Sequence, residues 1–392
     1  MTRDKAALAM FAVLLLSYVV NAMDRQLFSV LGLSVPQVGL AATVFTLGMG
    51  LAGIPTGYLL TIISRRGVVI LGVIIFSVAT YLTAYAKGMP DLLAYRFVSG
   101  LGEAMQLTAL LAIGTTYFLH HRAPAASALN FTFGIGAIAG PNLGAAILAS
   151  THWQMPFIVF GLLGVVVLAL ILLFVRPWFT EVEAAGQAAE TGGEERLADS
   201  IWARTPLTLT ATTVFAGLAI YGYLGLYPTY LREGLGFTPK ETGLVVSFYG
   251  LGALLSLFGG WLGDRYNYHR LLFVSLALSA GAGAILFGSL SHSLILHILF
   301  SFAFGATISG MGYANLSAGI IKSVKREKAA AASGLFVASL YIPTAFAGYT
   351  LDLLNERFGW STAGAAQIAG CALLAAMLSL AASVGRDKPA PT

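Results

Sequence analysis

The sequence predicts an all-α membrane protein in which twelve transmembrane helices form two six-helix bundles. Hydrophobic residues make up 57% of the 392-residue chain and charged residues only 10%, whereas a soluble domain carries roughly 25% charged residues. A spanning helix needs about 20 mostly apolar residues, so this length accommodates twelve spans and short loops. A charged segment at 176–204 follows the sixth apolar stretch and divides the helices into two sets of six.

Apolar stretches long enough to cross a bilayer follow one another along the chain. The predicted spans cover residues 6–32, 37–62, 67–87, 91–118, 124–149, 154–175, 205–230, 239–262, 269–290, 293–320, 329–350 and 361–385. No small-residue cleavage site follows the short charged start, so we predict a retained first span and not a signal peptide. The first two spans are joined only by LGLSVPQ, which is shorter than expected.

The segment after the sixth span predicts a solvated linker, because acidic residues are interspersed there with Gly and Ala. These acidic residues are Glu181, Glu183, Glu190, Glu194, Glu195 and Asp199. We therefore expect an N-terminal bundle at 1–175, a cytoplasmic linker at 176–204 and a C-terminal bundle at 205–392.

The distribution of Lys and Arg predicts that both termini are cytoplasmic. With the N-terminus inside, Arg25 and Arg96 lie in spans, and the outer loops hold Lys87, Arg232, Lys240 and Arg357. Every other Lys and Arg of the 22 falls on the inner side, as the positive-inside rule requires. We expect a monomeric integral protein of a bacterial inner membrane. The net charge of +5 gives no indication of a nucleic-acid partner.

The two halves of the chain repeat each other. The second span ends PTGYLLTIISRRG and the eighth ends FGGWLGDRYNYHR, which places Gly57 and Gly260 at equivalent positions before a basic turn. The segment RAPAASAL before the fifth span is similar to EKAAAASGL before the eleventh, so Ser127 matches Ser333. Two such repeats predict a pseudo-two-fold transporter with its site between the halves, near the bilayer midplane.

Ionisable residues inside the spans of the first half predict a functional site. Asp24 and Arg25 lie in the first span, and Arg96 and Glu103 lie in the fourth. Each such residue costs at least about 2.5–3.5 kcal/mol to insert, so it is a candidate for function. Because seven residues make nearly two helical turns, Arg96 and Glu103 share one face. Gly100 lies between them and is expected to leave space between the charges.

A second polar stripe lies in the first span, where Tyr18, Asn21 and Arg25 line one face and Asp24 lies beside them. A guanidinium group binds carboxylate or phosphate through a planar fork. We therefore predict that Arg25 and Arg96 bind an anionic substrate, with Tyr18 and Asn21 as further substrate contacts.

The two acids of this site, Asp24 and Glu103, are predicted to carry a coupling proton. A neighbouring arginine favours the charged form of a carboxyl group, and an anion that occupies the arginine removes that influence. Proton binding and anion binding then favour each other. The alternative is that Asp24 with Arg96, and Glu103 with Arg25, are neutral buried pairs that only hold helices together.

The spans of the second half offer hydroxyl and amide groups instead of charges. We predict that these bind hydroxyls of the anion or stack on an apolar part of it, and the alternative for each is packing or a place in the interfacial aromatic belt. The residues are Tyr223, Tyr227, Tyr313, Asn315 and Tyr341, and Tyr230 is expected in the belt.

Several classes of function are not indicated. The six histidines are scattered, so no metal site is predicted, and no phosphate-binding loop indicates use of ATP. We expect no cofactor and no enzymatic activity. In the fifth span, Gly140 and Pro141 predict close helix packing and a bend.

These motifs resemble those of the major facilitator superfamily. The turn after the second span resembles its G-x-x-x-D-R-x-G-R-R signature, although Thr61, Ile62 and Ser64 stand where the signature has Asp, Arg and Gly. RFVSGLGEAMQ resembles its R-x-x-x-G-x-G motif, and FGIGAIAGPNLGAA resembles its Gly-rich G-P motif, which is often linked with antiporters. The resemblance implies the major facilitator fold and a cytoplasmic latch formed by Gly57, Arg65, Arg66, Gly260, Asp264 and Arg265.

The charged residues also resemble a narrower group. Asp24-Arg25 with Arg96 and Glu103 is similar to the anion:cation symporters, the sialin and sugar-acid group, whereas GLGEA is equally similar to the spinster lipid transporters. The first resemblance implies proton-coupled symport of a small organic anion, a carboxylate or sugar acid, by alternating access. The alternatives are a lysolipid or amphipath transporter, a proton-coupled drug antiporter and a membrane sensor without transport.

Overall fold

The computed structural model describes residues 3–27, 35–182, 197–288 and 292–384. These residues form helices, apart from loops and one isolated bridge between Ala198 and Val324, so the predicted all-α fold is confirmed. The described residues contain eleven apolar helical stretches long enough to cross a membrane. The connection at 28–34 and most of the predicted linker, 183–196, lie outside the described ranges.

The helices of the first half begin and end within a few residues of the predicted spans, except that the third ends at Thr83. The predicted end of the first span, 28–32, lies outside the described ranges. The Ser64 hydroxyl caps the third helix by accepting a hydrogen bond from the Gly67 N–H at 3.1 Å. The helices are α1 (Arg3–Leu27), α2 (Val35–Ile62), α3 (Arg65–Thr83), α4 (Met89–Tyr117), α5 (Arg122–Ser150), α6 (Met155–Phe174) and the short α7 (Pro177–Thr180).

The helices of the second half are more often interrupted. The predicted eighth span divides at Leu254 and Leu255, and a π-helical stretch, Gly305–Tyr313, interrupts the tenth. The helices are α8 (Arg204–Thr229), α9 (Pro239–Ala253), α10 (Ser256–Arg265), α11 (Tyr268–Gly288), α12 (Leu294–Phe304), α13 (Ala314–Lys322), α14 (Ala329–Thr344), α15 (Ala347–Ala363) and α16 (Cys371–Val384).

The predicted span 329–350 is interrupted, whereas the next break, at Gly359, falls in the connection predicted between residues 350 and 361. The predicted span 329–350 ends at Thr344, directly after Pro343, and the helix resumes at Ala347. The next break is at Gly359, whose φ of 77° is in the left-handed region that glycine adopts without strain. A second π-helical stretch, Gly364–Gly370, then leads into α16.

Contacts group the chain into two compact units. Unit 1 comprises Met1–Leu119, Thr132–Glu190 and Ala329–Ala345, and unit 2 comprises His120–Phe131, Thr191–Lys328 and Phe346–Thr392. By its contacts α14 therefore belongs with the helices of the first half, and the first ten residues of α5 belong with those of the second. The division into bundles at 1–175 and 205–392 stays a prediction.

Helices α2 and α14 of unit 1 approach each other at small residues. A Cβ atom added to Gly53 would lie 2.6 Å from the Ala338 nitrogen and 2.7 Å from the Gly334 oxygen, and one added to Gly57 would lie 3.0 Å from the Ala330 oxygen. The backbones are therefore in direct contact, which only residues without a side chain permit.

The same kind of contact occurs in unit 2, between α10 and the start of α5. A Cβ atom on Gly260 would overlap the Ser127 hydroxyl and lie 2.7 Å from the Ala123 oxygen. The Ser256 hydroxyl donates to the Ser127 carbonyl at 3.3 Å. The repeat relates Gly57 to Gly260 and Ser333 to Ser127, so the two units use equivalent residues for helix packing.

We expect Gly53→Ala to lower the free energy of unfolding by about 1–3 kcal/mol, because the new methyl group must push α2 away from α14. The measurement is thermal unfolding of the purified protein in detergent. The matched control is Gly39→Ala in the same helix, where no heavy atom lies within 4 Å of the added Cβ and a change within about 0.5 kcal/mol is expected. Equal losses in both variants would contradict the packing argument.

Candidate functional site

The ionisable residues of the first half form two ion pairs between α1 and α4. Arg96 Nη1 lies 2.8 Å from Asp24 Oδ2, and Arg25 Nη2 lies 3.0 Å from Glu103 Oε2. The side chains of Asp24, Arg96 and Glu103 are 1%, 3% and 0% exposed, whereas that of Arg25 is 10% exposed. Arg25 is therefore the most accessible of the four charges.

Aromatic rings surround the Arg25 guanidinium. Its Cζ lies 4.9 Å from the ring centre of Phe133 on α5, 5.3 Å from Phe45 on α2 and 5.6 Å from Tyr341 on α14. Its Nη1 also donates to the Tyr341 hydroxyl at 3.3 Å. Phe45 lies against Arg96 as well, at 4.4 Å. These rings exclude water from both ion pairs and attract the cations by cation–π interaction.

The expectation that Gly100 leaves space between the charges is wrong. A Cβ atom on Gly100 would overlap the Phe45 carbonyl oxygen and lie 3.2 Å from the Met49 nitrogen. The backbone of α2 fills the place that a side chain would occupy. This close approach of α2 to α4 brings the Phe45 ring under the two arginines.

Each carboxylate of the site uses only one of its oxygens in a hydrogen bond. Asp24 Oδ1 and Glu103 Oε1 are buried and have no hydrogen-bond partner among the described residues. Buried polar atoms normally have partners, so these two oxygens are where a proton or a donor group would be accepted.

Sequence reasoning missed Gln106 and Ser17, which extend the polar site along α1 and α4. Asn21 Nδ2 donates to Gln106 Oε1 at 2.9 Å, and Gln106 Nε2 donates to the Ser17 hydroxyl at 2.5 Å. The spacing could have revealed Gln106, because it lies three residues after Glu103 and hence on the same face of α4.

The structure thus brings the predicted residues of the first half together with one from the second. Tyr18 is 2% exposed and interacts with Arg25. All the residues brought together here, including Tyr341 on α14, belong to unit 1. The set is Tyr18, Asn21, Asp24, Arg25, Arg96, Glu103 and Tyr341.

Tyr223 and Tyr227 form a buried aromatic stack in unit 2. Their ring centres are 4.5 Å apart, and both side chains are fully buried. The Tyr223 hydroxyl donates to Ser301 at 2.9 Å, and the Tyr227 hydroxyl lies 2.7 Å from His297 Nδ1. Tyr249 stacks on the other side of Tyr223 at 4.8 Å. Sequence reasoning did not connect His297 with these tyrosines, since α8 and α12 are distant in sequence.

Tyr230 is not in an interfacial belt, contrary to the sequence expectation. It is 2% exposed and its ring stacks on Phe287 at 5.1 Å. Its hydroxyl donates to the Phe287 carbonyl at 3.4 Å. The residue packs α8 against α11.

Asn315 joins helices within unit 2. Its side-chain nitrogen donates to the carbonyl oxygens of Gly259 and Met311, each at 2.9 Å, so it ties α13 to α10. Tyr313 is half-buried at the end of the π-helical stretch. The contacts of Asn315 favour helix packing over substrate binding.

Arg65 and Arg66 begin α3 and meet the carboxylate of Glu181. Their backbone N–H groups donate to the two Glu181 oxygens at 3.0 Å and 2.9 Å, and Arg66 Nη2 donates to the Leu172 carbonyl at 3.0 Å. An anion at a helix N-terminus is stabilising. An acid from the linker thus lies at the turn that lacks the signature Asp, where Thr61 donates to the Tyr58 carbonyl at 2.7 Å.

The equivalent turn of unit 2 has a different ion pair. Asp264 pairs with Lys322 at the end of α13, and Arg265 lies over the Trp261 ring at 5.2 Å. The latch role of these residues stays a prediction.

Gly140 and Pro141 lie in α5, which continues through them to Ser150. A Cβ atom on Gly140 would overlap the Met23 carbonyl and lie 2.8 Å from the Met23 Cα. Gly140 therefore lets α5 approach α1 next to Asp24. Among the described residues, no cluster of three or more His, Cys, Asp or Glu could hold a metal ion.

The apolar spans, repeated helix contacts and buried charge pairs of the described residues are features that secondary transporters commonly have. The model of the Major Facilitator Superfamily matches residues 6–348 and 209–392, so the chain belongs to this superfamily. It is a membrane transporter and not an enzyme.

Curated relatives carry the name Multidrug resistance protein MdtL. The protein from Klebsiella pneumoniae is 26% identical over 303 residues, which cover 75% of this chain and 76% of the relative. The protein from Citrobacter koseri is 27% identical over 303 residues, with the same coverage. The narrower resemblance to anion:cation symporters or spinster transporters is not shown by these relatives.

Solved structures share the fold over nearly the whole chain. The proton:xylose symporter XylE has a TM-score of 0.76 and 13% identity, covering 97% of this chain and 96% of that one. The human organic anion transporter MFSD10 (TETRAN) has a TM-score of 0.72 and 15% identity, covering 97% of this chain and 100% of that one.

Proposed function

We propose that this protein is a proton-coupled transporter of a small organic anion, in which Arg25 binds the anion and Glu103 carries the proton. The observation that carries the proposal is the Arg25–Glu103 pair. Its cation is the most exposed charge of the site, and its carboxylate is fully buried with one oxygen unpaired among the described residues.

Coupling follows from the sharing of Arg25 between two anions. A substrate carboxylate on the guanidinium fork competes with Glu103 Oε2 for Nη2 and Nε. A buried carboxylate that loses its cation binds a proton more readily. Protonated Glu103 in turn releases Arg25 to the anion, so each ligand favours the binding of the other. Alternating access then carries both ligands across the membrane together.

The Asp24–Arg96 pair has a different role in this proposal. Both side chains are almost fully buried, and the Phe45 ring covers the guanidinium. A pair that is buried in this way is better suited to holding α1 against α4 than to binding a substrate. The alternative is the role predicted from the sequence, in which Arg96 binds the anion and Asp24 binds the proton.

Proton-coupled drug antiport is the second candidate, favoured by the multidrug resistance proteins among the relatives. The aromatic rings of Phe45, Phe133 and Tyr341 around Arg25 suit an amphipathic molecule. The Gly140–Pro141 motif against α1 also resembles a motif often linked with antiporters. A cationic drug would be repelled by Arg25, so this candidate requires a neutral or anionic compound.

The sign of the driving gradient separates the candidates. Purified protein is reconstituted into liposomes, and uptake of labelled glucuronate, benzoate and a neutral amphipathic dye is measured with acid outside or acid inside. Acid outside is expected to drive uptake of an anion, whereas uptake driven by acid inside would establish antiport.

The matched variants are Arg25→Gln and Arg232→Gln, which remove a site cation and an exposed cation. We expect anion uptake to be lost only in Arg25→Gln. Uptake that neither gradient changes would overturn proton coupling, and uptake unchanged in Arg25→Gln would remove this residue from the site.

A further inference from the structure

Three side chains form a hydrogen-bonded series next to the Arg25–Glu103 pair. The Ser17 hydroxyl donates to the Leu14 carbonyl at 2.6 Å, Gln106 Nε2 donates to the Ser17 oxygen, and Asn21 Nδ2 donates to Gln106 Oε1. Ser17, Asn21 and Gln106 are all fully buried. No step of the proposed function uses this series.

The direction of the series is determined at its Leu14 end. A carbonyl oxygen only accepts, so Ser17 uses its single proton there, and its oxygen is left to accept from Gln106. Gln106 must therefore present its nitrogen to Ser17 and its oxygen to Asn21. Asn21 must present its nitrogen to Gln106. The series ends in Asn21 Oδ1, a buried acceptor without a donor among the described residues.

Glu103 Oε1 is a second buried acceptor without a donor in the described part of the chain. Asn21 precedes Arg25 by four residues on α1, and Gln106 follows Glu103 by three residues on α4. The amide pair and the ion pair are therefore about one helical turn apart between the same two helices. Two acceptors cannot bond to each other, but a proton bound to one of them makes that atom a donor to the other.

We propose that the coupling proton is bound at Oε1 of Glu103 and hydrogen-bonded to Oδ1 of Asn21, which makes Asn21 a positioning residue for protonation. This inference rests on the proposed function. The carboxylate takes one proton from the aqueous phase and forms one O–H bond, and no other covalent bond changes. Oε2 still accepts from Arg25, but the neutral acid holds the guanidinium less strongly, so Arg25 becomes available to the anion.

Other titratable groups face Glu103 from the helices packed around it. Asp24 and Arg96 are paired with each other, so their charges largely offset, and α2 contains no charged residue. The charged residues of α3, Arg65 and Arg66, are at its first turn, several turns before Phe76, whose backbone contacts α4 at Gly102 next to Glu103. The groups that face Glu103 are Tyr18, Asp24 and Arg25 of α1, Arg96 of α4 and Tyr341 of α14.

Infrared titration of the full-length protein in lipid nanodiscs tests the inference without a substrate. The carbonyl band of a protonated carboxyl group is followed against pH, and the part that Glu103→Gln removes belongs to Glu103. In Asn21→Leu we expect the pH at half-height to fall by about half to one unit, the equivalent of one lost hydrogen bond. The band should also move to higher frequency.

A second variant and a control keep the test decisive. In Asn21→Asp, the Glu103 band is isolated by subtracting the spectrum of the Asn21→Asp/Glu103→Gln double variant. The pH at half-height of this band should rise, because a second carboxylate disfavours the charge on Glu103. The control is Ser99→Ala, which removes a local hydrogen bond to the Arg96 carbonyl in α4. This variant should leave the pH at half-height of the Glu103 band unchanged.

A band that titrates at the same pH in wild type and in both Asn21 variants would overturn the inference, and so would a wild type without a Glu103 band. Failure of the proposed function shows differently, as liposome uptake indifferent to the proton gradient. Gradient-driven uptake together with an unchanged infrared titration would reject only the role of Asn21.

Discussion

Glu103→Gln is expected to abolish proton-driven accumulation of the anion while leaving exchange of anion across the membrane intact. Glutamine has nearly the shape of protonated glutamate, so it mimics the proton-loaded carrier but cannot release a proton. Its side-chain oxygen can still accept from Arg25, as Glu103 Oε2 does at 3.0 Å. Typical coupling free energies of 1–3 kcal/mol correspond to a loss of about 5–150-fold in gradient-driven accumulation.

The measurement compares liposomes under an imposed pH gradient with liposomes loaded with unlabelled anion on the inside. The matched control is Glu241→Gln, which alters the acid that caps α9. Accumulation should be lost only in Glu103→Gln, and exchange should persist in both variants. Full gradient-driven accumulation in Glu103→Gln would reject Glu103 as the proton carrier.

The arrangement of the helices could be predicted largely from the sequence, because the membrane imposes a simple length and polarity on each span. The interruptions within the helices were harder to predict. Gly359 adopts a positive φ, but the chain contains 45 glycines and composition does not tell which of them bends the backbone. The π-helical stretch Gly305–Tyr313 depends on packing against neighbouring helices, which no local pattern encodes.

The candidate site could likewise be predicted only in part, because contacts between helices that are distant in sequence leave no local pattern. Helical periodicity placed Arg25, Arg96 and Glu103 on defined faces, and it also predicted their pairing as one alternative. It could not predict Phe45, whose ring reaches both guanidinium groups only because Gly100 lets α2 approach α4. Nor could it predict that Tyr341 belongs to the same unit as Arg25, since that contact joins residues 316 positions apart.

The Asp24–Arg96 pair leads to the prediction with the largest effect on stability. Asp24→Asn leaves the Arg96 guanidinium charged, 3% exposed and without its anion. Breaking a buried pair by removing one partner typically destabilises by about 3–5 kcal/mol. We therefore expect Asp24→Asn to unfold at a much lower temperature in detergent and to give a poor yield. The Asp24→Asn/Arg96→Gln double variant should recover most of the loss, because it leaves no unpaired charge.

The double variant also decides between the two roles of this pair. If Asp24 and Arg96 only align α1 with α4, a folded double variant keeps its dependence on the proton gradient, and the transport site reduces to Arg25, Glu103 and their neighbours. If the double variant folds but its uptake no longer responds to the gradient, the pair takes part in proton or anion binding. Because the single variants would lose activity through misfolding in either case, only the neutral double variant separates packing from coupling.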